Sequence, residues 1–242
     1  YFQVTAQDTV GTIQVQASAI GYNAASTNVQ VTQPKFVIST STQAYTTSQL
    51  PSITIYATDA NGNAHYVAEN VTITLLSSSP SVANIDSTTV TIPTGGYYHN
   101  TAHWVPGQVG TAQLSASDAR AAYYKYNTGT ANVAVLTPSL SLSWFTTALG
   151  IGQYLDYVYA STPDYQAAPL TVGLAHVGTA RTSTYDNLTT TPITNLTIPA
   201  SSYYQYFRLA GLSAGTDTLV ATATSPAHNP DTAYTVVGQG RI

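Results

Sequence analysis

One unit recurs along the 242-residue chain. Three segments begin with Gly-Thr, at Gly11, Gly110 and Gly215, and each continues by alternating apolar and polar residues. A pair of aromatic residues precedes each segment. Two further pairs of matching segments, 34–39 with 138–143 and 90–93 with 196–199, are offset by 104 and 106 residues. The agreement of these offsets predicts a repeat of about 100 to 106 residues.

The repeat divides the chain into a partial unit and two whole ones. Residues 1–33 match the C-terminal strands of a unit, residues 34–137 form a second unit, and residues 138–242 form a third. The joints at Pro34 and Pro138 leave almost no linker, so we expect a restricted angle between neighbours. Because residues 1–33 are too few to bury a core alone, we expect an excerpt of a longer chain, or a second copy that supplies the missing strands.

The hydrophobic pattern within each unit has a period of two. Residues 71–76 and 170–175 show it most clearly, and it is typical of strands with one buried face. Asn61-Gly62 lies between two such runs, which is a strong hairpin signal. No stretch has convincing helical spacing with caps. Several short strands in about 100 residues predict an all-β fold of tandem antiparallel β-sandwiches.

Five short motifs follow one another in the second unit. They are Asp59-Ala-Asn-Gly-Asn63, Val71-Thr-Ile-Thr-Leu75, Ser77-Ser-Ser-Pro-Ser-Val-Ala83, Val90-Thr-Ile-Pro-Thr-Gly95 and Gly110-Thr111. Their order resembles the bacterial immunoglobulin-like (invasin-type) repeat family, whose tandem domains build adhesins, stalks and other cell-surface fibres. The resemblance covers essentially the whole chain, although the third unit replaces the first motif by residues 162–166. It implies immunoglobulin-like sandwiches at the cell surface and carries over no catalytic residues, since fold is not function.

Charge is scarce, and this excludes several classes of function. The chain has six basic and ten acidic residues, 7 % of its length, against about 25 % in a typical soluble domain. Six bases cannot form the stripe that binds phosphates, so we expect no nucleic-acid partner. No apolar run approaches the length of a membrane span. The absence of Cys excludes disulfides and thiolate chemistry, and we predict no cofactor. A surface of hydroxyls and amides, rich in β-branched residues and Tyr, indicates an extracellular β protein.

Tyrosine clusters are the most distinctive feature of the sequence. Rows of Tyr suit subunit contacts or glycan stacking, because the side chain offers a large contact area at low entropic cost. Tyr is also a good strand former that half-buries at sheet edges, and this alternative stays open. We expect Tyr124 to share a strand face with Tyr126, and Tyr157 with Tyr159. The candidate contact residues are Tyr97, Tyr98, Tyr124, Tyr126, Tyr157, Tyr159, Tyr203 and Tyr204.

Metal sites are weakly indicated. Asp59, Asn61 and Asn63 alternate as the first ligands of an EF-hand calcium loop do. That loop also needs Gly at position 64 and Glu at position 70, where this chain has Ala64 and Asn70. An inter-strand calcium site that uses Asp59 and Glu69 is the one metal candidate. His99 and His103 are predicted to share a strand face about 13 Å apart, which is too far for one zinc ion.

Three further patterns bear on chemistry at the surface. The string Gly211-Leu-Ser-Ala-Gly215 matches a nucleophile elbow but lies between two predicted strands, so we interpret it as a turn. Lys35, Glu69 and Asn132 are the residue types of the Lys–Asn crosslink of some surface domains, yet the third unit lacks them. N-x-T sequons make Asn70, Asn187 and Asn195 glycosylation candidates, provided that the host glycosylates secreted proteins.

The sequence therefore predicts a non-enzymatic, extracellular structural protein, a stalk or filament subunit on a microbial surface that self-associates into a fibre or longer chain. The alternative is an adhesin or carbohydrate-binding module that uses exposed Tyr, Trp104 and Trp144 on a glycan or surface receptor. A third reading is an accessory region of a large secreted enzyme. A coplanar aromatic row would favour the binding module, and aromatics between chains would favour the filament.

Overall fold

The computed structural model describes residues 10–120, 125–144 and 147–239. Within these ranges the chain forms twenty β-strands and no helix. It divides into two compact units with the main break between residues 134 and 135, and the short segments 43–50 and 106–110 group with the second unit. The all-β prediction is confirmed, whereas the unit boundaries after residues 33 and 137 stay a prediction.

The first two strands form a separate antiparallel hairpin, β1 (Gly11–Ala17) with β2 (Ala25–Val31). Ile13 lies opposite Val29, on the apolar face, and Gln14 lies opposite Asn28, on the polar face. The alternation seen in the sequence therefore separates the two faces of this hairpin.

Nine strands between residues 35 and 136 form the first sandwich. One sheet has the order β3-β5-β9-β7 and the other β4-β11-β10-β6-β8. Both inward faces are buried, as at Ile55 on β5 and Ile73 on β6. The strands are β3 (Lys35–Thr40), β4 (Gln43–Tyr45), β5 (Ser52–Thr58), β6 (Val71–Ser77), β7 (Ala83–Ile85), β8 (Thr89–Ile92), β9 (Tyr98–Pro106), β10 (Gly110–Asp118) and β11 (Gly129–Leu136).

Nine further strands form the second sandwich, with sheets β12-β14-β18-β16 and β13-β20-β19-β15-β17. One hydrophobic cluster joins the two sheets, with Val158 and Phe207 from the first and Leu170 and Leu219 from the second. Each strand occupies the place that the strand nine earlier holds in the first sandwich. The strands are β12 (Ser141–Ser143), β13 (Ala148–Gly150), β14 (Tyr154–Ser161), β15 (Leu170–His176), β16 (Thr182–Asp186), β17 (Asn195–Ile198), β18 (Tyr204–Gly211), β19 (Gly215–Thr222) and β20 (Asp231–Gly238).

A β-bulge in β9 corrects one prediction. Ile53 lies opposite Ala102 and Ile55 lies opposite His99, so two residues of β5 match three of β9. Opposed residues share a face, which places His99 and Ala102 on the inner side and His103 on the outer side. The prediction that His99 and His103 share a face is wrong, because the extra residue reverses the alternation between them.

Candidate functional site

Tyrosines line the outer face of the four-stranded sheet in each sandwich. Tyr56 on β5 lies opposite Tyr98 on β9, and Tyr159 on β14 lies opposite Tyr206 on β18. Their strand neighbours, such as Ala57 and Ala160, are buried, so the alternation of the strand turns the phenol rings outward. The first tyrosine cluster is Tyr56, Tyr66, Tyr97 and Tyr98, and the second is Tyr157, Tyr159, Tyr165, Tyr203, Tyr204 and Tyr206.

The two clusters share a triplet of rings with nearly the same geometry. In the first sandwich the ring centroids of Tyr66 and Tyr97 lie 5.4 Å apart at an interplanar angle of 86°. Tyr97 in turn lies 4.9 Å from Tyr98 at 61°. The corresponding values in the second sandwich are 5.2 Å and 82° for Tyr165 with Tyr203, and 5.0 Å and 62° for Tyr203 with Tyr204.

Equivalent backbone hydrogen bonds hold the loops that carry these rings. In the first sandwich the Val67 N–H donates to the Gly96 carbonyl at 2.8 Å, and the Gly95 N–H donates to the Val67 carbonyl at 2.9 Å. In the second sandwich Gln166 donates to Ser202 at 2.9 Å and Ser201 donates to Gln166 at 2.8 Å. The loop that follows β5 or β14 is thereby tied to the turn that precedes β9 or β18.

A left-handed residue shapes that turn in both sandwiches. Gly95 has a φ of 77°, and Ser201, at the equivalent place, has a φ of 60°. Glycine adopts this conformation without steric cost, whereas Ser201 is a non-glycine residue held there by the surrounding bonds.

The second cluster extends further across its sheet. Tyr204 and Tyr206 lie 5.1 Å apart, and Tyr206 contacts both Tyr157 and Tyr159 at 5.8 Å. The contact of both rings with Tyr206 places Tyr157 and Tyr159 on one face, although β14 has a β-bulge between Leu155 and Val158. The expectation that these two residues share a face is confirmed.

The electrostatics of the second cluster follow from its packing. Desolvation by the surrounding rings, followed by the neighbouring phenols of Tyr204 and Tyr159, raises the pKa of Tyr206. At its border Arg208 forms an ion pair with Asp156. The raised pKa keeps Tyr206 uncharged at ordinary pH, and one compensated pair of charges lies beside the cluster.

Most of the rings meet edge to face, and the remaining pair, Tyr56 with Tyr98, is tilted at 39°. Edge-to-face contact is a geometry that aromatic pairs prefer, and it orders the side chains before any partner arrives. Tyr66, Tyr157 and Tyr165 remain 75 %, 60 % and 53 % exposed. The arrangement offers an ordered amphipathic contact surface, and it does not form the coplanar row that a glycan platform would use.

Tyr126 lies elsewhere. Its ring stacks on Phe36 with centroids 4.7 Å apart and planes at 7°, and the Arg120 guanidinium lies 5.7 Å from the ring centroid. Burial is the largest cause that raises the pKa of Tyr126. Tyr126 thus packs against the sandwich as a half-buried residue, and the predicted partner on its face, Tyr124, lies outside the described residues.

The two members of the calcium candidate have other partners. Asp59 accepts hydrogen bonds from the backbone N–H groups of Asn61 and Asn63, at 2.8 and 2.9 Å, and from the Asn63 side chain at 3.1 Å. These bonds, with the Asn63 side chain contributing most, lower the pKa of Asp59 to about 2. Glu69 forms an ion pair with Arg120. Asp59 therefore organises its own turn.

The histidines make hydrogen bonds to one or two groups each, and His99 has a second partner in Thr101, whose Oγ1 lies 2.9 Å from His99 Nε2. His103 lies 3.0 Å from Asp86, His176 lies 3.0 Å from Asp217, and His99 Nδ1 lies 3.1 Å from the Thr91 carbonyl. No group of three or more His, Asp or Glu residues is placed to hold a metal ion within the described ranges.

The glycosylation candidates lie in loops and at a strand end. Asn70 is exposed, and its Oδ1 accepts a bond from the Thr94 N–H at 2.9 Å. Asn187 is half-buried in the turn after β16, and Asn195 is exposed at the start of β17. Their modification stays a prediction.

Trp104 cannot act as the alternative function requires. Trp104 is fully buried, and its Nε1–H donates to Thr40 Oγ1 at 3.1 Å. Trp144 is partly buried against the core of the second sandwich. Trp104 as an exposed binding residue is wrong, because the bulge in β9 leaves Ala102 and Trp104 on the inner face.

Two other sequence patterns have structural roles. Gly211 to Gly215 connect strand β18 to strand β19, and Ser213 Oγ accepts a hydrogen bond from Arg181, so the turn interpretation of the elbow string is confirmed. Lys35 Nζ donates to the Ala60 carbonyl at 2.9 Å, and Asn132 Oδ1 accepts a bond from Gln113. The Lys–Asn crosslink trio is therefore engaged elsewhere.

Sequence reasoning missed Tyr56, Tyr66 and Tyr165 as members of the clusters. Tyr66 and Tyr165 are 99 residues apart, whereas matching segments of these two units are 104 and 106 apart. A search for aromatic residues at the repeat offset would have missed this pair, because the offset varies from loop to loop while the strands keep their places.

No known protein family and no curated protein matches the sequence. Among solved structures, the chain is similar to the Yersinia pseudotuberculosis adhesin InvE, at 15 % identity and a TM-score of 0.32, over 85 % of this chain and 59 % of that one. It is similar to domains 4 and 5 of the S-layer protein SbsC at 13 % identity and a TM-score of 0.35, over 84 % and 97 % of the two chains. It is also similar to red sea bream transglutaminase, at 14 % identity and a TM-score of 0.36, over 87 % of this chain and 32 % of that one.

At TM-scores this low, these similarities carry no argument about function. The neighbours include adhesins, surface-layer domains and enzymes, and the chain spans only part of the first of them. Within the described residues, no helix is long and apolar enough to cross a membrane.

Proposed function

We propose that the chain is a non-enzymatic structural protein of a microbial cell surface, in which tandem immunoglobulin-like sandwiches form a stalk or filament. The tyrosine clusters supply the contacts between chains in this proposal. The observation that carries it is the triplet of rings that recurs, within a few tenths of an ångström and a few degrees, on both four-stranded sheets.

A recurring surface is what a repetitive assembly needs. Identical contacts can form at each repeat only if each repeat presents the same residues in the same geometry. Tyr is enriched in protein interfaces because it buries much area at little entropic cost and keeps a hydroxyl for hydrogen bonding. With few charges nearby, such faces approach without repulsion, and their association depends little on salt.

Electron microscopy of the native material tests the proposal. Ordered filaments with the tyrosine clusters at chain-to-chain contacts are expected, and isolated flexible strings of domains would overturn it.

In solution, a double substitution Tyr66→Ser with Tyr165→Ser is expected to lower the sedimentation coefficient of assemblies formed by the whole chain. Tyr22→Ser with Tyr234→Ser is the matched control, since these residues are 81 % and 64 % exposed but lie outside both clusters.

A second proposal is an adhesin or carbohydrate-binding role on a surface receptor. The extent of the second cluster favours it, because six connected tyrosines lie beside the Arg208–Asp156 pair, whose polar atoms suit sugar hydroxyls. Titration of glycans against the whole chain, followed by the NMR shifts of Tyr157 and Tyr165, tests this role. Shifts confined to the second cluster support it, and a complete lack of response to receptor-type glycans counts against it.

A further inference from the structure

One pair of rings within each triplet is suited to covalent chemistry. Tyr66 and Tyr97, and equivalently Tyr165 and Tyr203, bring two phenols from separate loops to centroid distances of 5.4 and 5.2 Å. We propose that each pair is an oxidative crosslinking site, at which a carbon–carbon bond between the two rings forms dityrosine. This inference concerns a modification of the chain and does not depend on the proposed function.

The backbone already holds the two rings of each pair together. Val67, next to Tyr66, exchanges two hydrogen bonds with Gly95 and Gly96, next to Tyr97. Gln166 does the same with Ser201 and Ser202 beside Tyr203. Two reactive groups that are held in contact react intramolecularly, which corresponds to a very high effective concentration of each for the other. The crosslink therefore fixes a contact that exists before oxidation.

One ring of each pair also has room to move. Tyr66 and Tyr165 lie in loops, and Tyr97 and Tyr203 immediately precede β9 and β18. The backbone at the second ring of each pair is held, since the Tyr97 and Tyr203 carbonyls accept bonds from the Ala57 and Thr162 N–H groups at 2.9 and 2.8 Å. The freedom lies in the exposed side chains of Tyr66 and Tyr165, whose rotation can change the edge-to-face contact to one that joins two ring carbons.

An oxidant reaches these rings and meets little competition. Tyr66 is 75 % and Tyr165 is 53 % exposed. The chain contains neither Cys nor Met, the residues that oxidants ordinarily attack first. Trp104 is buried in the core, and Trp144 is partly buried. Exposed phenols are thus the most accessible of the readily oxidised groups on the described surface.

The reaction balances with hydrogen peroxide as the oxidant and a haem peroxidase as its catalyst. Each phenol loses one hydrogen atom from its hydroxyl to give a phenoxyl radical. The two radicals join at the carbons next to the hydroxyl-bearing carbons, and the hydrogens on those carbons move to the phenolic oxygens. Overall two C–H bonds break, one C–C bond forms, and one peroxide is reduced to two waters.

Such a bond would do what a disulfide does in small secreted domains. It joins positions 31 residues apart in the first sandwich and 38 apart in the second, and closing a loop of this size lowers the entropy of the unfolded chain. A chain without Cys has no disulfide with which to do so. We expect the oxidised protein to melt at a higher temperature than the untreated one.

The experiment oxidises the whole chain at high dilution with peroxide and a haem peroxidase, followed by cleavage before Asp and mass spectrometry. Cleavage places Tyr66 on peptide 59–85 and Tyr97 on 86–117, with Tyr165 on 164–185 and Tyr203 on 186–216. Two linked products are expected, each lighter by two hydrogens than its two peptides together. Fragmentation assigns the linked residues.

Phenylalanine variants decide the assignment, because Phe cannot form a phenoxyl radical. Tyr66→Phe is expected to remove the first linked product and keep the second, and Tyr165→Phe is expected to do the reverse. Tyr22→Phe and Tyr234→Phe, at exposed positions outside the clusters, are expected to keep both. The proposal is overturned if the links spread over all exposed tyrosines, form only between molecules, or persist in Tyr165→Phe through Tyr185. It is also overturned if fragmentation assigns the links to Tyr98 or Tyr204 instead of Tyr97 or Tyr203.

Discussion

Thr182 donates two hydrogen bonds to the buried carboxylate of Asp217, from its backbone N–H at 2.6 Å and from Oγ1 at 2.5 Å. The Arg181 N–H and His176 Nδ1 reach the same oxygen, Oδ2, at 3.0 Å. The side chain of Asp217 is 1 % exposed. Because Asp217 is on β19, His176 on β15 and Thr182 on β16, this carboxylate links the two sheets of the second sandwich.

Asp217→Asn is expected to destabilise the second sandwich. The substitution keeps the shape but removes the charge, and hydrogen bonds to a charged group contribute roughly 1.5–3 kcal/mol each. Urea unfolding, followed by hydrogen exchange of the β15 and β19 amides, measures the loss. Asp156→Asn is the control, since the Arg208–Asp156 pair is partly exposed and is expected to contribute less than about 1 kcal/mol. Equal losses in the two variants would contradict the prediction.

The stability of the second sandwich is expected to fall in acid through the same carboxylate. Burial alone would raise the pKa of Asp217, but the bonds from Thr182, the charge of His176 and the Arg181 N–H outweigh it and hold this pKa below its ordinary value. A depressed folded-state pKa contributes stability above the unfolded value of about 3.9. That contribution is lost as the pH falls from this value through the folded-state pKa.

Thermal unfolding across this acid range checks the direction. The wild-type melting temperature of the second sandwich is expected to drop as the pH falls below about 4. In Asp217→Asn, which has no carboxyl to protonate here, the drop is expected to be smaller. A parallel decline in both proteins would show that other groups cause the acid sensitivity.

Trp104 is expected to be essential to the first sandwich. It is fully buried on β9, and its indole N–H reaches Thr40 on β3. Trp104→Ala is expected to cost about 3–5 kcal/mol through the cavity it leaves. Trp104→Phe is expected to cost less but to leave Thr40 Oγ1 without this donor. In Trp144→Phe, Trp104 is the only tryptophan, and excitation at wavelengths that tyrosine does not absorb isolates its emission. A soluble quencher is expected to have little effect on this emission, and strong quenching would place Trp104 at the surface instead.

The sequence predicted what depends on alternation and missed what depends on a bulge or a distant partner. The period of two at 71–75 and 170–174 matches buried alternate residues on β6 and β15. The same alternation wrongly put His99 on one face with His103. The bulge in β9 that separates them arises from the pairing with β5, and no residue type in the sequence marks it. The local repeat pattern also gave no sign of Asp217. Its equivalent is Ala112, which is buried as well, and only Thr182 and His176, brought together by the fold, make a carboxylate stable there.

Gly211 is expected to tolerate no side chain, for reasons of space rather than of backbone angle. A Cβ there would lie 2.4 Å from the Gly150 carbonyl oxygen and 3.1 Å from Val237 Cγ1. The backbone cannot withdraw easily, because the Gly211 N–H and carbonyl are both hydrogen bonded in the segment after Gly150. Gly211→Ala is therefore expected to lower the free energy of unfolding by about 1–3 kcal/mol through overpacking.

Gly238→Ala is the control. Gly238 lies opposite Gly150 on β20, and a Cβ there meets nothing within 4 Å, so this substitution is expected to change the free energy of unfolding by less than about 0.5 kcal/mol. Urea denaturation of the two variants measures the difference, and similar midpoints would mean that β18 and the segment around Gly150 separate more easily than their contacts indicate.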